Sequence, residues 1–414
     1  MNIFDKSAIR ECTSCQMCAA VCPHNALNIN INIDGFYHPV ITHSLCVDCG
    51  MCVKICYKFD RNIEPFGKEK LRSTKLYGAA AKQDDVVEST TSGGIADLLA
   101  RELIHDGYKC IGVVYDSEKD CAKHIVATSE NETIGFRGSK YIQSYTLDAF
   151  KEIVKKCKDE KYAIFGTPCQ IYALDRYLKQ RHIRDRHILI DLYCHGCPTI
   201  NVWKKYINKI KLKINKEKID YVNFRSKVKG WGNFYVLEVA VDGKSLFYSD
   251  VKKNEFFDIF FSDQVLNKAC EDCMLRSTLA YTDIRLGDFW GKQYVLNYRG
   301  VSAISLVTDK AKCLFDKIQD RIDYQEQKYE DFLTWQSWGK KYQSDIDLRK
   351  TLLGQLLDNR ISLRESIETI HNSQTFKSKI LRYAKNLVHL LPINLERRIR
   401  WMYYQFTDFS LSKI

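Results

Sequence analysis

Residues 11–30 read ECTSCQMCAAVCPHNALNIN, with cysteines at Cys12, Cys15, Cys18 and Cys22 and Pro23 directly behind. Thiolates at this density are soft ligands, and soft ligands select iron–sulfur clusters, zinc or cuprous copper. A CxxCxxC loop wraps three corners of one metal assembly, and a more distant cysteine closes the fourth. The pattern repeats in CVDCGMCVKICY, which carries Cys46, Cys49, Cys52 and Cys56. Zinc prefers paired CxxC hooks with wider separations. Duplicated triplets, each followed by a single cysteine, instead suit two [4Fe–4S] cubanes.

Together the two runs look like a bacterial-type ferredoxin. In that arrangement the fourth cysteine of each run ligates the other cluster. Cluster one then takes Cys12, Cys15, Cys18 and Cys56, and cluster two takes Cys46, Cys49, Cys52 and Cys22. Tyr57 stands where the first run has its proline, a departure that leaves all eight thiols in place. Between the runs, ALNININIDGFYHPVIT alternates as a hairpin does, with Asp34–Gly35 at its turn. Residues 1–60 are expected to form this two-cluster domain, and the polar stretch 61–76 reads as a linker.

The elements that must position any further chemistry follow. LYGAAA (76–81), KCIGVVYD (109–116), KYAIFG (161–166) and HILIDLYC (187–194) read as strands. Residues 94–104, 146–158 and the stretch after Trp203 have helical periodicity, and 234–249 reads as a hairpin around Asp242–Gly243. The expected fold class is α+β: a ferredoxin fold, then a mixed α/β body over 77–330, then a helical, basic C-terminal extension over 331–414. Three stretches of the body could carry chemistry. STTSGGIADLLA (89–100) places Ser92, Gly93 and Gly94 at a helix start, where exposed N–H groups favour phosphate and where Ser92 could equally serve as a cap. FGTPCQ puts Gly166, Thr167 and Cys169 at the end of an apolar strand, the usual place for a ligand in α/β proteins. Cys194, Cys197, Cys270 and Cys273 join Cys169 as candidates for one more site. From spacing alone that site fits zinc and iron–sulfur equally, since paired CxxC hooks suit both.

TSGG, SKYIQS, FGTPCQ, CHG.P and C..C followed by GDFWG occur in order between about residues 76 and 310. Together they resemble the coenzyme F420 hydrogenase/dehydrogenase beta-subunit family. That resemblance implies a flavoprotein with FAD beside a [4Fe–4S] cluster. It carries the third cluster's ligands onto Cys169, Cys194, Cys270 and Cys273, with Cys197 as the competitor of Cys194. It implies flavin contacts from Ser92, Gly93, Gly94, Ser139, Lys140, Tyr141, Gly166 and Thr167. Asp283 and Asp288 are expected to hold the cysteine loop, as is His195; catalytic residues stay unassigned.

The 414 residues are 45% hydrophobic and 28% charged, and they lack both a long apolar run and an apolar leader at the N-terminus, so the expected location is the cytoplasm. Of the seventeen cysteines, those at tight regular spacing then read as metal ligands rather than disulfides, and Cys110, Cys121, Cys157 and Cys313 as ordinary core or surface cysteines. The net charge of +12 lies in the body and could attract an anionic cofactor or an acidic electron carrier; no nucleic-acid partner is expected. The basic, apolar stretch 378–411 suits either a packing helix or a peripheral membrane contact. The expected function is an iron–sulfur flavoprotein oxidoreductase. It would pass electrons between a donor such as ferredoxin, the clusters and FAD, and so act on an organic small molecule such as an F420-like deazaflavin or a polysaccharide-biosynthesis intermediate. The alternative is an electron-transfer subunit whose chemistry belongs to a partner enzyme.

Overall fold

The fold is taken from a computed structural model that describes all residues except 6, 64, 233–234, 250–253, 334–335, 377, 381–386, 389–390 and 407–414. Strands β1 (Leu27–Ile31) and β2 (Tyr37–Ile41) form the antiparallel hairpin between the two cysteine runs. The runs themselves are a structural repeat. Each CxxCxxC loop has left-handed residues at matching places, Ser14 and Gln16 in the first and Asp48 and Gly50 in the second. Each then turns into a short helix, Met17–Ala20 and Met51–Lys54.

The body is built on a nine-stranded mixed sheet. Its strands are β3 (Lys75–Ala81), β4 (Lys109–Asp116), β5 (Cys121–Ala127), β6 (Ser144–Tyr145), β7 (Tyr162–Phe165), β8 (Ile188–Leu192), β12 (Ile284–Asp288), β13 (Ser302–Leu306) and β14 (Ile322–Glu326). They lie in the order β14-β3-β13-β12-β8-β7-β4-β5-β6. The central strands β12, β8, β7 and β4 run parallel, with antiparallel strands on both flanks. The parallel strands are apolar at nearly every position because both faces are covered. Tyr162 and Ile164 face one core and Ala163 the other, while Leu189 opposes Ile188 and Ile190 in the same way. The first core is shared with the ferredoxin segment: Ile3, Met17, Ala19, Val21 and Ile55 pack with Phe150 and Ile153 of the helix Leu147–Lys156 and Ile171 and Leu174 of the helix Pro168–Gln180.

A second sheet, β11-β10-β9, comprises β9 (Tyr221–Ser226), β10 (Val236–Val241) and β11 (Lys244–Tyr248). It packs with the helices Ile200–Ile214, Glu255–Phe260, Ile346–Leu357 and Leu363–Ser373 around Trp203, Phe224 and Phe256. The first part of the C-terminal extension is therefore built into the body. Lys205 caps it by donating to the carbonyls of Gln355, Asp358 and Ile361. Further on, Arg397 of the helix Ile393–Phe406 donates to the Trp231 carbonyl. Much of 378–411, the stretch read as packing helix or membrane contact, lies outside the described residues. No helix among them is long and apolar enough to cross a membrane.

The segment 61–76 differs from a linker. It holds the helix Lys68–Ser73, buries Leu71, ties the Phe66 N–H to the Ser277 carbonyl, and from Lys75 onward is already strand β3. Its polar composition reflects a helix with one buried residue, not a free tether.

Candidate functional site

Thirteen of the seventeen cysteines gather into three groups; Cys110, Cys121, Cys157 and Cys313 lie apart from them. Cys12, Cys15, Cys18 and Cys56 surround one cavity of about 720 Å³. Cys22, Cys46, Cys49 and Cys52 surround another of about 370 Å³. This is the crossed arrangement, since Cys56 stands with the first run and Cys22 with the second. The reason is local geometry: the short helices after Gln16 and Gly50 carry Cys22 and Cys56 away from their own loops. The second group reaches the surface at Cys49, whereas Cys15 and Cys18 are buried. Among the described residues no three His, Cys, Asp or Glu side chains come close enough to hold a single metal ion.

The third group forms where parallel strands end. Cys169 sits in the first turn of the helix Pro168–Gln180, which Thr167 and Gln170 close with a capping box. Pro168 fits there because the first helical N–H needs no partner. Cys194 and Cys197 follow β8, and Cys270 and Cys273 lie on the turns before β12. Cys169 feels the charge of Cys194 and Cys270, and also of Cys15 from the first group. Cys197 feels Cys270, Cys194 and Cys169, and Cys194 and Cys270 feel Cys273, so these five thiols share one neighbourhood. Burial pushes the Cys12 and Cys194 thiols up to about 11 and Cys270 to about 12. Bare thiols there hold their protons at neutral pH, and a metal cluster would displace them.

The surroundings of the third group are rigid. Arg276 donates to the carbonyls of Cys194, His195 and Lys340. His195 is held on both ring nitrogens, 2.7 Å from Asp263 and 2.9 Å from the Tyr342 hydroxyl. Asp283 accepts from Arg184, the Leu189 N–H and Thr308. His195 therefore braces the cysteine loop, whereas Asp283, expected to do the same, ties together the starts of β8 and β12, at the opposite end from Cys194.

Over the C-terminal ends of β7, β8 and β12 lies a cavity of about 1210 Å³, open mouth included. Ser92, Gly94, Ser139, Lys140, Gly166 and Thr167 line it, six of the eight positions expected to touch a flavin. The other two do not. Gly93 is pressed against the sheet, and a Cβ there would meet the Ala79 carbonyl oxygen at 2.2 Å. It lets the TSGG loop cross β3 and β13, anchored by its N–H to the Ser302 hydroxyl. Tyr141 turns into an aromatic cluster with Phe224, Tyr235, Phe257 and Phe260, and its hydroxyl accepts from Arg225. Ser92 does not cap the helix Ile95–His105: Gly94 holds the cap position, and the Ser92 hydroxyl donates to the Val301 carbonyl.

The rest of the cavity wall mixes apolar residues (Ile95, Ala96, Val113, Phe136, Ile142, Phe165, Leu286) with polar ones, among them Asp97, His124, Arg137, Gln170 and Asp288. Arg137 makes a two-point ion pair with buried Asp97 at 2.7 and 3.1 Å. Asp288 accepts from Arg225 and the Trp231 indole. The Lys140 ammonium donates to the carbonyls of Gly135 and Arg137. The sequence reading missed His124 and Arg137. Alternation in CAKHIVA marks β5 and was the available signal for His124; the pairing of Arg137 with Asp97, across 40 residues, left none.

Comparison with known proteins agrees with this layout. Residues 11–58 match the model of the 4Fe-4S dicluster domain, and residues 159–331 match that of the C terminus of the coenzyme F420 hydrogenase/dehydrogenase beta subunit. The coenzyme F420 hydrogenase subunit beta of Methanococcus voltae is 25% identical over 267 residues, which cover 59% of this chain and 83% of that protein. The uncharacterized protein MJ1349 of Methanocaldococcus jannaschii is 27% identical over 193 residues, covering 41% of this chain and 53% of that one. This chain thus spans about half the length of the latter relative. A chain from the F420-reducing [NiFe] hydrogenase complex of Methanosarcina barkeri aligns at 16% identity with a TM-score of 0.43, covering 76% of this chain and 93% of that chain. The protein is a redox iron–sulfur protein with an N-terminal 4Fe-4S dicluster domain. Its residues 159–331 carry the C-terminal domain of the coenzyme F420 hydrogenase/dehydrogenase beta-subunit family.

Proposed function

We propose that this chain is an electron-transfer subunit in which three iron–sulfur clusters form one line. Cluster two, at Cys46, Cys49, Cys52 and Cys22, is the surface terminal. Cluster one, at Cys12, Cys15, Cys18 and Cys56, is the middle station. The third, held by Cys169, Cys194, Cys270 and Cys273, is the inner one. The observation that carries this reading is that Cys169 Sγ lies 4.0 Å from the carbonyl oxygen of Thr13, between Cys12 and Cys15, which links the ferredoxin segment to the thiols of the body. Cys18 likewise feels both Cys15 and Cys52, joining clusters one and two. Clusters exchange one electron at a time, so a line of them needs no substrate of its own.

The cavity beyond Cys169 supports a finer reading, in which it holds FAD. Its size and its mix of apolar wall with hydroxyl, amide and charged groups suit a dinucleotide cofactor, which is apolar at its rings and polar at its phosphates. One buried polar atom on its border, His124 Nδ1, has no protein partner among the described residues. Ser92, Gly94, Ser139 and Lys140 would lie along the phosphates, and Gly166 and Thr167 beside the ring. A flavin there supplies the exchange between single electrons and hydride. The chain's own residues orient it, keep water from its apolar face and hold Cys169 next to it.

Serving a partner enzyme fits better than acting alone, because the Methanococcus voltae relative is, by its name, one subunit of a hydrogenase. A ferredoxin-coupled reductase with its own small organic substrate is the second reading, favoured by the cavity itself. Anaerobic purification with iron, sulfide and flavin analysis tests the assignment. About twelve irons per chain are expected, with one FAD. About eight irons and no flavin after reconstitution would remove the third cluster and the cavity's role. Turnover of F420 or another organic acceptor by the dithionite-reduced chain alone would overturn the subunit reading in favour of the reductase.

A further inference from the structure

The helix Ile393–Phe406 meets the body with a charged side. Glu396 is buried, and Arg397 donates to the Trp231 carbonyl at 2.9 Å. Gly230 leaves room for that contact, since a Cβ there would meet Arg397 Nη2 at 2.6 Å. A repeat of 3.6 residues puts Asn394, Leu395, Arg398, Trp401 and Met402 on the opposite arc. All five are exposed, with Leu395 44%, Trp401 41% and Met402 45% open to solvent. A surface helix ordinarily does the reverse, laying its apolar stripe on the core and its charges in water.

The exposed apolar surface continues beside the helix. The helix packs against the turn Lys292–Tyr294, and the Trp231 N–H, next to the carbonyl that holds Arg397, donates to the Tyr298 carbonyl elsewhere in that region. In this adjoining loop Leu296 and Tyr298 are exposed. Single exposed apolar residues carry no message, but a patch drawn from two segments marks a contact surface.

Charge distinguishes what the patch contacts. Residues 376–406 hold seven Lys or Arg and a single acid, Glu396, which is the buried one. Arg398 stands among Leu395, Trp401 and Met402 on the outward arc. The centre of a protein–protein interface is depleted of charge, whereas here cations and large apolar side chains are interleaved. That mixture complements the boundary of an anionic bilayer. Tryptophan rests at headgroup level, leucine and methionine enter the acyl edge, and arginine lays its stem along them with its guanidinium at the phosphates. The 14 residues of the helix are too few to cross the hydrocarbon, so the helix lies flat.

We propose that Leu395, Arg398, Trp401 and Met402 dock this chain on an anionic lipid surface, whatever the cavity holds. The test uses the full, cluster-reconstituted chain and co-sedimentation with vesicles of phosphatidylcholine alone or of an equimolar mixture with phosphatidylglycerol. Wild type is expected to bind the mixed vesicles at least about tenfold tighter, and less tightly as salt rises. Brominated lipid should quench the tryptophan fluorescence of the bound chain, and Trp401→Phe should remove most of that quenching. Leu395→Ser with Met402→Ser should weaken binding about tenfold or more. Arg398→Glu should shrink the preference for the mixed vesicles. Iron content and urea unfolding of these surface variants should match wild type.

Failure of wild type to bind either vesicle overturns the proposal, as does binding that Leu395→Ser with Met402→Ser leaves intact. Where that double variant does not accumulate folded, bound wild type that brominated lipid fails to quench overturns it alone. Self-association in lipid-free buffer that the same variant abolishes assigns the face to a second copy of the chain and overturns it too.

Discussion

Gln16 reaches from the first cysteine loop to the N-terminus of the helix Leu147–Lys156. Its side-chain oxygen accepts the Thr146 N–H at 3.0 Å and the Leu147 N–H at 3.1 Å, while its amide donates to the Ser144 carbonyl. Helix N-termini leave N–H groups unsatisfied, and here the cap is supplied by a residue 130 positions away. Gln16 does this from a left-handed backbone, where most side chains are disfavoured. The equivalent place in the second loop is Gly50, for which that conformation is unstrained. The non-glycine residue is thus placed in the loop that meets the body.

Replacing Gln16 with Ala should strand both N–H groups and loosen cluster one from Cys169. The expected cost is about 1–3 kcal/mol, read by chemical denaturation. Slower electron exchange between the ferredoxin clusters and the third should appear in freeze-quench EPR. Gln16→Gly should relieve the backbone yet still lose the clamp, so slow exchange with near-native iron content is expected there as well.

Crossed ligation has its own signature in iron counts. Cys22→Ser and Cys46→Ser should each remove the same cluster, so the double variant should lose no more than either one, about four irons. Cys22→Ser with Cys12→Ser should lose about eight. If Cys22→Ser and Cys12→Ser together lose only four, the crossed arrangement is wrong.

Lys140 gives a pH dependence. Burial lowers its pKa from 10.5 to about 7. The folded chain therefore releases this proton before the unfolded chain does, and the group's contribution to stability rises with pH between about 7 and 10.5. Of the charges around it, Arg137 is paired with Asp97, and His124 stays neutral above about 4. Anion binding in the cavity needs the ammonium form, so affinity for FAD should fall as pH rises through 7. Titrations at pH 6 and pH 8 check this, and Lys140→Met should flatten the difference.

The guanidinium of Arg285, fully buried, donates to both carboxylate oxygens of Asp191, to the Leu275 carbonyl and to the Tyr281 hydroxyl. It joins the strand leading to Cys194 with the turn following Cys273. Arg285→Met leaves the Asp191 charge uncompensated and should destabilise the chain by about 3–5 kcal/mol, measured by urea unfolding. The third cluster's spectroscopic signal should be lost before those of the other two.

The ferredoxin segment was legible because its chemistry is local: three thiols within seven residues must converge, whatever surrounds them. The strands β4, β7 and β8 were legible too, since burial on both faces demands unbroken apolar runs. Ser139, Lys140, Gly166 and Thr167 could be singled out from short motifs, but neighbours in sequence can point to opposite sides. Tyr141, beside Lys140, left the cavity for the aromatic core because its ring buries better among Phe257 and Phe260, and Gly93 lies under the loop that Ser92 and Gly94 present. What the amino-acid order determined by itself was the identity and grouping of the thiols. The tertiary structure alone decided that Cys169 lies against the Thr13 carbonyl of the first cysteine loop, that Gln16 caps a distant helix and that His124 of β5 pairs with the Phe165 carbonyl, because each depends on chain segments that only packing of a common core brings together.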